Sequence, residues 1–540
     1  MDYLSTLGNS PPIQSAIQTI QRCLPMTVSH KLEDFYRRSS RNELIFIGAA
    51  TFISLYNLAA YIKAKRQKLK LPPTIPYGLP FLGHTLYLTL MPNKFIDWCN
   101  KHYGEIYNIS VLGRYITVTN GKCAEEFMKA EINDLSMEEG NVKDMLYLHY
   151  VMDEQFLSDS RVILPAAAKV AISQKKMPYY IPGIEKGLKT AIHKCFNQNE
   201  PTIVKDPSHF VQNLVAYMGV PTLIGKEVGE NEEVIHSFAK FTDDIVGNIK
   251  YWAIIPNFLH PYFKPFIQSG SQHKETMKKH ISKVIDDRQA KMRIAKEAGQ
   301  DHGLDENLLQ SLMEYTEGID ENTGEPLYLS KKRLYEAVLS IAFASVHTTT
   351  LNLSYCIYWL IARPDLKERL VEEIKTYLPG DTPFSWEIMQ EMKFLNNFIR
   401  EVLRQGVGFV AHGKKAMVDY TFYNGYQVPK GTTIDCTMRQ MNFGSSTNRS
   451  TVDTMDPEAS LNKQSSTPSK DFVSFGLGKH ICPGRFFAVL EISMTLVYIL
   501  KSFDVNTLNG KRPYPVKNFA GIHVSYCKDP LVFTPRKTKL

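Results

Sequence analysis

The sequence predicts a mainly α-helical protein with a small β-rich region, preceded by one N-terminal transmembrane helix. Three observations support this fold class: long stretches with apolar residues spaced three and four apart, two β-rich runs towards the ends of the body, and one uncharged apolar run near the N-terminus. Of its 540 residues, 44% are hydrophobic and 22% are charged. That composition is ordinary for a globular protein and argues against long-range disorder and against a multi-span membrane protein. The length allows one enzyme-sized body that buries a cofactor.

The predicted transmembrane anchor is the apolar run 44–62, nineteen residues without a formal charge. A helix needs roughly 20 such residues to cross the hydrocarbon layer. The basic flank Lys63–Lys70 places the bulk of the protein on the cytosolic side by the positive-inside tendency. The alternative is a buried core helix. The predicted organisation is an N-terminal segment 1–43, the anchor, a basic and proline-rich linker 63–80, and a body 81–540.

Two segments predict the β-rich region. Gly104–Gly121 contains two β-rich runs broken at Gly113. Met417–Cys436 contains the dipeptide Asn424-Gly425, which favours a tight hairpin turn because both residues tolerate a positive φ. Strands are therefore expected near both ends of the body.

Helices are predicted where apolar residues recur at spacings of three and four with few breakers. These stretches are Lys331–Ala362, Phe394–Arg404 and Glu491–Phe503. The segment Asn442–Lys470 differs, because it is rich in Ser, Thr and Asn and has little periodicity. It predicts a long irregular segment that lies at the surface or wraps another part of the fold.

Charge and cysteine usage narrow the class of partner. The net charge of +8 and clusters such as Lys63–Lys70 and Lys274–His280 indicate contact with acidic lipid head groups or an acidic protein, although such lysines also simply solubilise helix faces. Nucleic acid is not expected, since the sequence has no zinc-finger spacing, RNA-binding aromatic signature or helix-turn-helix pattern. The eight cysteines are scattered without a CxxC pair, which argues against a disulfide framework.

The segment Phe475–Ala488 has the strongest chemical signal, a lone Cys482 in a glycine-punctuated loop that runs into a helix. Its glycines, which permit turns and the close approach of a flat ligand, are Gly476, Gly478 and Gly484. Amides of the loop and of the helix start can stabilise the sulfur as a thiolate, which is a strong iron ligand. On the residues alone, a buried structural cysteine is an equal alternative.

Two upstream elements complete the pattern. Glu401 and Arg404 share one helix face, which alone is more often typical of a solvated surface pair. In Ile341–Thr350, the small residues Ala344 and Ser345 precede three threonines, and a threonine hydroxyl can bend a helix by bonding to a carbonyl one turn back. Such a bend makes room for oxygen and water, whereas the alternative for these threonines is core filling.

The cysteine segment resembles the haem-binding loop of the cytochrome P450 family, Phe-x-x-Gly-x-Arg-x-Cys-x-Gly. Four positions match, and His480 stands at the Arg position, as in fungal members. The resemblance implies haem b (iron-protoporphyrin IX) with Cys482 as the axial iron ligand. It also places five residues beside the cofactor: Phe475, Gly478, His480, Gly484 and Arg485. The body 81–540 would then be a haem-thiolate catalytic domain with the family's fold, the haem lying between the threonine-bearing helix and the cysteine loop.

The resemblance also assigns roles to the upstream elements. Thr348 matches the threonine that helps deliver protons to iron-bound dioxygen, and His347 occupies the position usually held by Asp or Glu. An imidazole can relay protons near neutral pH. Glu401 and Arg404 match the family's structural pair, which anchors the irregular segment over the haem.

Two departures from the family pattern stand out. Ala459 replaces the arginine that normally joins the Glu–Arg pair, which leaves Arg439 or Arg449 as possible substitutes. The Trp-x-x-x-Arg of a propionate-binding helix is absent, so the candidate propionate partners are His480 and the lysine pair Lys414 and Lys415.

The function implied by the resemblance is an NADPH-driven monooxygenase at the endoplasmic reticulum membrane. Electrons would come from a separate NADPH-cytochrome P450 reductase, with cytochrome b5 as a further partner, since no flavin or nicotinamide fingerprint occurs in the chain. The expected substrate is lipophilic, a sterol, terpenoid or fatty acyl compound, with fungal secondary metabolism as one setting. Two other classes remain: a haem-thiolate isomerase or synthase of an oxygenated lipid, and a degenerate non-catalytic haem or lipid carrier.

Overall fold

A computed structural model describes the larger part of the chain. The described residues are 69–79, 82–111, 113–196, 200–255, 259–267, 270–406, 411–443, 455–460, 463–513, 517–519, 523–525 and 528–537. The predicted N-terminal segment 1–43, the anchor 44–62 and residues 63–68 and 80 of the linker lie outside them. Within those ranges, no helix is both long and apolar enough to cross a membrane.

Helices form most of the unit Leu71–Leu540. They are numbered here in chain order: α1 Thr85–Leu90, α2 Pro92–Tyr103, α3 Gly121–Lys129, α4 Glu154–Arg161, α5 Ile163–Ala171, α6 Met177–Cys195, α7 Pro207–Gly219, α8 Glu232–Val246, α9 Ile249–Ile254, α10 His260–Ile267, α11 Ser271–Ala298, α12 Leu308–Met313, α13 Lys331–Ala362, α14 Pro364–Tyr377, α15 Trp386–Glu391, α16 Lys393–Gln405, α17 Met438–Phe443 and α18 Arg485–Ser502.

The strands are short and form small sheets. Their bounds are β1 Ile106–Val111, β2 Arg114–Thr119, β3 Leu135–Ser136, β4 Thr202–Val204, β5 Thr316–Ile319, β6 Pro326–Tyr328, β7 Ala411–Ala416, β8 Tyr420–Thr421, β9 Gln427–Val428, β10 Thr433–Cys436, β11 Phe503–Thr507, β12 Lys517–Phe519, β13 His523–Ser525 and β14 Leu531–Pro535. The largest sheet has the order β1-β2-β10-β7-β3, and a second has the order β11-β14-β4. The prediction of a mainly helical fold with a small β region is confirmed.

Helix α13 is the longest helix and runs through the centre of the body. The side chain of Ser330 caps its first turn by accepting the amide N–H of Arg333, and Pro364 follows its end and begins α14. It packs against α7, α8, α11 and α18. The predicted span Lys331–Ala362 is confirmed, because a strong start, a strong stop and an apolar interior agree.

Helices α16 and α18 both pack against α13. The carboxylate of Glu373 accepts the amide N–H groups of Phe394 (2.7 Å) and Leu395 (2.8 Å), which satisfies donors at the start of α16. Helix α18 begins at Arg485, directly after the cysteine loop, so the predicted span from Glu491 covers only its later turns. Its start is set by the loop geometry and not by apolar spacing.

The main sheet forms as the sequence predicts. Strands β1 and β2 pair antiparallel about Gly113, which has φ +77°, and β10 pairs parallel to β2. Between β8 and β9 the turn contains Asn424 and Gly425, the latter with φ +80°. The sheet therefore joins residues near both ends of the body.

Two irregular segments border the functional region. Glu138–Met145 is π-helical, so its turns are wider than those of an α-helix. In the predicted irregular segment, the described residues beyond Phe443 contain a short 3₁₀ turn, Pro457–Ser460, and no α-helix up to Lys470.

Candidate active site

The loop before α18 has a backbone that only its glycines easily adopt. Gly476 and Gly478 have φ +76° and +72°, and a 3₁₀ turn, Gly478–His480, follows. The amide N–H of Cys482 donates to the carbonyl oxygen of Phe475 at 2.8 Å, which closes the loop on itself. The loop therefore fixes Cys482 by main-chain bonds, while the Phe475 side chain packs against the main core.

Two backbone amide groups lie beside the sulfur of Cys482. Burial raises the pKa of the thiol, while the amide N–H groups of Gly484 and Arg485, which donate to Sγ, and the Arg485 charge oppose that rise. Arg485 Nη1 also donates to the carbonyl oxygen of Cys482 at 2.9 Å. A cation beside the sulfur would add the positive charge that stabilises a buried thiolate. This arrangement suits a metal ligand, because the amides and the Arg485 charge favour negative charge on the sulfur.

The role of Gly484 differs from the one predicted. Its φ is −84°, which any residue adopts, and an added Cβ would lie 3.6 Å from Ile172 Cδ1, an ordinary contact. Conformational freedom is therefore not what this position requires. Gly484 acts through its amide, as the residue before the first turn of α18.

A cavity of about 540 Å³ lies between α13 and the cysteine loop. Helix α13 contributes Ser340, Phe343 and Ala344, and the loop contributes Lys479–Ile481 and Pro483, on either side of Cys482. Much of the remaining wall is apolar and includes Val142, Leu148, Met152, Phe156, Leu157 and Leu164. Its size is typical of ligand and cofactor sites.

The threonines of α13 separate into two groups. The hydroxyl of Thr348 is exposed and donates to the carbonyl oxygen of Ala344 at 2.9 Å, one turn back on the cavity wall. Thr349 and Thr350 are buried in the core. Thr348 thus continues the face of α13 that borders the cavity, whereas core filling describes its two neighbours.

His347, next to Thr348, faces helix α8. Its Nδ1 lies 4.0 Å from Oδ1 of Asp243. Reasoning from the sequence did not identify Asp243, because no motif links a residue of α8 to a position so distant in the chain.

Glu401 and Arg404 form a buried pair, not a solvated surface pair. Arg404 Nε donates to Glu401 Oε2 at 2.7 Å, and Arg404 Nη2 donates to Glu401 Oε1. The backbone amide of Asp456 donates to Glu401 Oε1 at 3.3 Å. The pair therefore holds the irregular segment through its main chain, one residue before the turn that contains Ala459.

A second arginine of α16 also binds the irregular segment. Arg400 Nη1 donates to the carbonyl oxygens of Gln464 (2.6 Å) and Thr467 (3.0 Å), and its guanidinium carbon lies 3.7 Å from the ring centre of Phe472. Of the two predicted substitutes, Arg439 is buried and Arg449 lies outside the described residues. Arg400 was not considered from the sequence, since it immediately precedes the recognised motif and is not part of it.

The candidate propionate partners divide among three environments. His480 lines the cavity, and burial and the charge of Lys414 lower its pKa. Lys414 is buried, donates to the carbonyl oxygen of Phe127 at 2.8 Å, and has its pKa lowered by desolvation to about 8. Lys415 pairs with Asp144 at 2.8 Å.

The cavity wall contains two further cations that the sequence did not single out, Arg161 and Lys169. Arg161 Nη1 lies 2.9 Å from Glu138 Oε2. They lie at the end of α4 and within α5. Neither carries a motif, so only the fold identifies them.

Comparisons with known proteins agree with this geometry. The family model described as Cytochrome P450 matches residues 72–527. The chain is 29% identical to cytochrome P450 monooxygenase olcJ of Penicillium canescens, over 76% of this chain and 77% of that protein. It is 23% identical to lanosterol 14-alpha demethylase of Mus musculus, over 87% and 88%.

Solved structures show the same fold. Retinoic acid bound cyanobacterial CYP120A1 superposes with a TM-score of 0.61 at 19% identity, covering 87% of this chain and 100% of that one. The haem domain of cytochrome P450DA superposes with a TM-score of 0.66 at 16% identity, covering 87% and 98%.

Proposed function

Because this chain belongs to the cytochrome P450 family, we propose that it is a haem b-dependent monooxygenase. It would insert one oxygen atom of O₂ into a lipophilic substrate, with electrons from NADPH through a separate reductase. The observation that carries this proposal is the placement of Cys482, whose sulfur accepts two backbone N–H groups beside a cavity bordered by Ala344 of α13.

The residues present fit a haem. Cys482 would hold the iron of the group through its sulfur, and the small side chain of Ala344 leaves the facing helix wall open. The cations on the wall, Arg161, Lys169 and Lys479, and the imidazole of His480 would bind the carboxylates of the group. When bound, haem with a thiolate ligand supplies the dioxygen activation and O–O cleavage that hydroxylation needs.

The cysteine loop would control the basicity of the sulfur. The amides of Gly484 and Arg485 hold negative charge on Sγ, and the bond from Cys482 N–H to Phe475 O keeps the loop from moving away. Hydrogen bonds of this kind tune a metal ligand without touching the metal.

The facing helix would control protons and water. The exposed hydroxyl of Thr348 can hold a proton next to the cavity, while its bond to the Ala344 carbonyl keeps it oriented. The apolar wall excludes water and favours a lipophilic substrate. The similarity to a protein named lanosterol 14-alpha demethylase supports a sterol or terpenoid class, and fatty acyl compounds fit the same apolar wall.

The cell setting follows from the sequence. The uncharged run 44–62 and its basic flank support a single-pass anchor in the endoplasmic reticulum membrane with the catalytic domain in the cytosol. The positive net charge suits acidic electron donors, NADPH-cytochrome P450 reductase and cytochrome b5.

The test is the reduced carbon monoxide difference spectrum of purified full-length protein, followed by turnover of sterols and terpenes with NADPH and reductase. A red-shifted band typical of thiolate ligation and an NADPH-dependent product with one added oxygen are expected. Turnover of a lipid peroxide without NADPH, with no hydroxylated product, would instead identify the isomerase or synthase class.

The degenerate carrier class predicts a different result, absence of the thiolate band or of haem itself. The structure gives that class little support, because the buried Glu401–Arg404 pair remains bonded to Asp456 despite Ala459.

A further inference from the structure

The position before Thr348 carries a histidine where a carboxylic acid is usual, so any acid near it must come from elsewhere in the fold. His347 Nδ1 lies 4.0 Å from Asp243 Oδ1, and the side chains are 30% and 35% exposed. Helices α8 and α13 pack together along this region. An imidazole and a carboxylate thus meet from two different helices, at the position next to Thr348.

The Asp243 carboxylate is oriented from its other side. Gln212 of α7, which is 2% exposed, donates its Nε2 to Asp243 Oδ2 at 2.7 Å. That bond directs Oδ1 towards His347. Three helices, α7, α8 and α13, therefore fix the geometry of the pair.

The neighbouring acid of α8 provides a natural comparison. Asp244 Oδ2 accepts from His273 Nε2 of α11 at 3.0 Å, and His273 Nδ1 lies 2.8 Å from the hydroxyl oxygen of Ser237. Asp244 thus serves the contact between α8 and α11, whereas Asp243 faces α7 and α13.

Asp243 also interacts electrostatically with His209 of α7, on which Lys240 of α8 acts as well. Burial lowers the pKa of His209, Lys240 lowers it further, and Asp243 opposes the change. His209 and Lys240 are therefore the additional groups that a pH study of the pair must consider.

We propose that Asp243 is a positioning residue for His347, and that the two together supply from separate helices the acid function that accompanies Thr348. The inference rests on the proposed monooxygenase function. The overall reaction consumes O₂, two electrons from the reductase and two protons, and yields hydroxylated product and water. His347 takes a proton from solvent, releases it towards Thr348 and the cavity, and is reprotonated. Asp243 orients the imidazole and stabilises its charged form, and is itself unchanged.

The first test needs no turnover. Full-length protein labelled with ¹³C-histidine is titrated by NMR, with the His347 signal assigned through His347→Gln. Asp243→Asn removes the anion beside the imidazolium, so the midpoint of the His347 titration is expected to move to lower pH by about 0.5 to 1 unit. Asp244→Asn is the matched control: it should alter the His273 signal and leave that of His347 in place.

The second test measures how much consumed oxygen becomes product as a function of pH. Asp243→Asn should move the pH at which coupling falls by the same amount and in the same direction as the NMR midpoint. The double variant Asp243→Asn, His347→Asp, which returns the acid to α13, should restore coupling. Asp244→Asn should lower the unfolding midpoint without moving the coupling profile.

An unmoved His347 midpoint in Asp243→Asn would overturn the inference, as would an equal shift in Asp244→Asn. Failure of the proposed function would look different, since the thiolate spectrum would be missing while the NMR titrations still report on the pair.

Discussion

The two walls of the cavity are built in different ways. The cysteine wall is held by main-chain bonds within one short loop, from Cys482 N–H to Phe475 O and from two amides to the sulfur. The α13 wall depends on side chains, and its His347 lies 4.0 Å from Asp243 of α8. A site made from backbone groups is specified by local sequence, whereas a site made from side-chain pairs is specified by the packing of helices.

The largest expected effect breaks the cysteine wall outright. Cys482→Ser removes the sulfur while keeping the loop, so the thiolate band of the reduced carbon monoxide spectrum should vanish completely. Cys195→Ser, at an exposed cysteine, is the control and should leave the band unchanged. A surviving thiolate band in Cys482→Ser would refute the ligand assignment.

The next largest effect concerns the buried pair Glu401 and Arg404. Glu401→Gln leaves the Arg404 charge buried without its carboxylate, and breaking such a pair costs about 3–5 kcal/mol. Chemical denaturation should show this loss together with reduced haem content. Glu391→Gln, at an exposed pair with Lys393, should change stability by less than about 0.5 kcal/mol. Equal free energies of unfolding for the two variants would show that the buried pair does not stabilise the fold.

Glu491, a second buried glutamate, provides a comparison with Glu401. Both carboxyl oxygens of Glu491 on α18 lack a hydrogen-bond partner among the described residues, and burial raises its pKa well above 4.5. Above that pH the unfolded chain releases the proton while the folded chain keeps it, so this group lowers stability as pH rises towards its folded pKa. Glu491→Gln should therefore raise the free energy of unfolding by about 1–3 kcal/mol relative to the wild type between pH 5 and pH 8. A pH-independent difference in unfolding free energy would count against a buried neutral acid.

Substitutions in the α13 wall should alter how much consumed oxygen becomes product. They should leave the reduced carbon monoxide spectrum unchanged. Thr348→Ala keeps the sulfur ligand but removes the hydroxyl beside the cavity, so oxygen consumption should yield peroxide, with product falling on the order of tenfold. Thr349→Ala, at a buried neighbour, should lower stability and leave coupling intact. Full coupling in Thr348→Ala would show that this hydroxyl delivers no proton.

The smallest effect separates two glycines of the cysteine wall. Gly478→Ala forces a side chain into φ +72° with a contact 3.2 Å from Lys129 Cγ, which costs about 1–2 kcal/mol. Gly484→Ala, at φ −84°, should cost less than about 0.5 kcal/mol and keep the thiolate band. Thermal unfolding of the two variants distinguishes them, and the reverse order would mean that Gly484 is needed for its conformation.

The sequence predicts well the features that depend on local signals, and it does not predict those that depend on how helices pack. The bounds of α13 could be read because Ser330, Pro364 and the apolar interior are local signals. The burial of Glu401 and Arg404 followed from the family resemblance and not from their spacing, since an identical spacing occurs on solvated helices. Cys482 was found from its loop, but the roles of Arg400 and Asp243 depend on which helices lie side by side, which local patterns do not determine.

The start of α18 illustrates why boundaries shift. Periodicity assigned its apolar later turns, whereas the true first residue, Arg485, follows from the amides that the turn at Gly484 directs to the sulfur. Ligand geometry, and not hydrophobic pattern, determines that boundary.

The π-helical segment Glu138–Met145 carries Glu138 and Val142 on the cavity wall, remote in sequence from the cysteine loop. A π turn is an α turn with a residue inserted, so loss of one residue would bring different side chains inward without altering the cysteine loop. Divergence in what this enzyme accepts can thus proceed by single insertions and deletions there, while its oxidising chemistry stays constant.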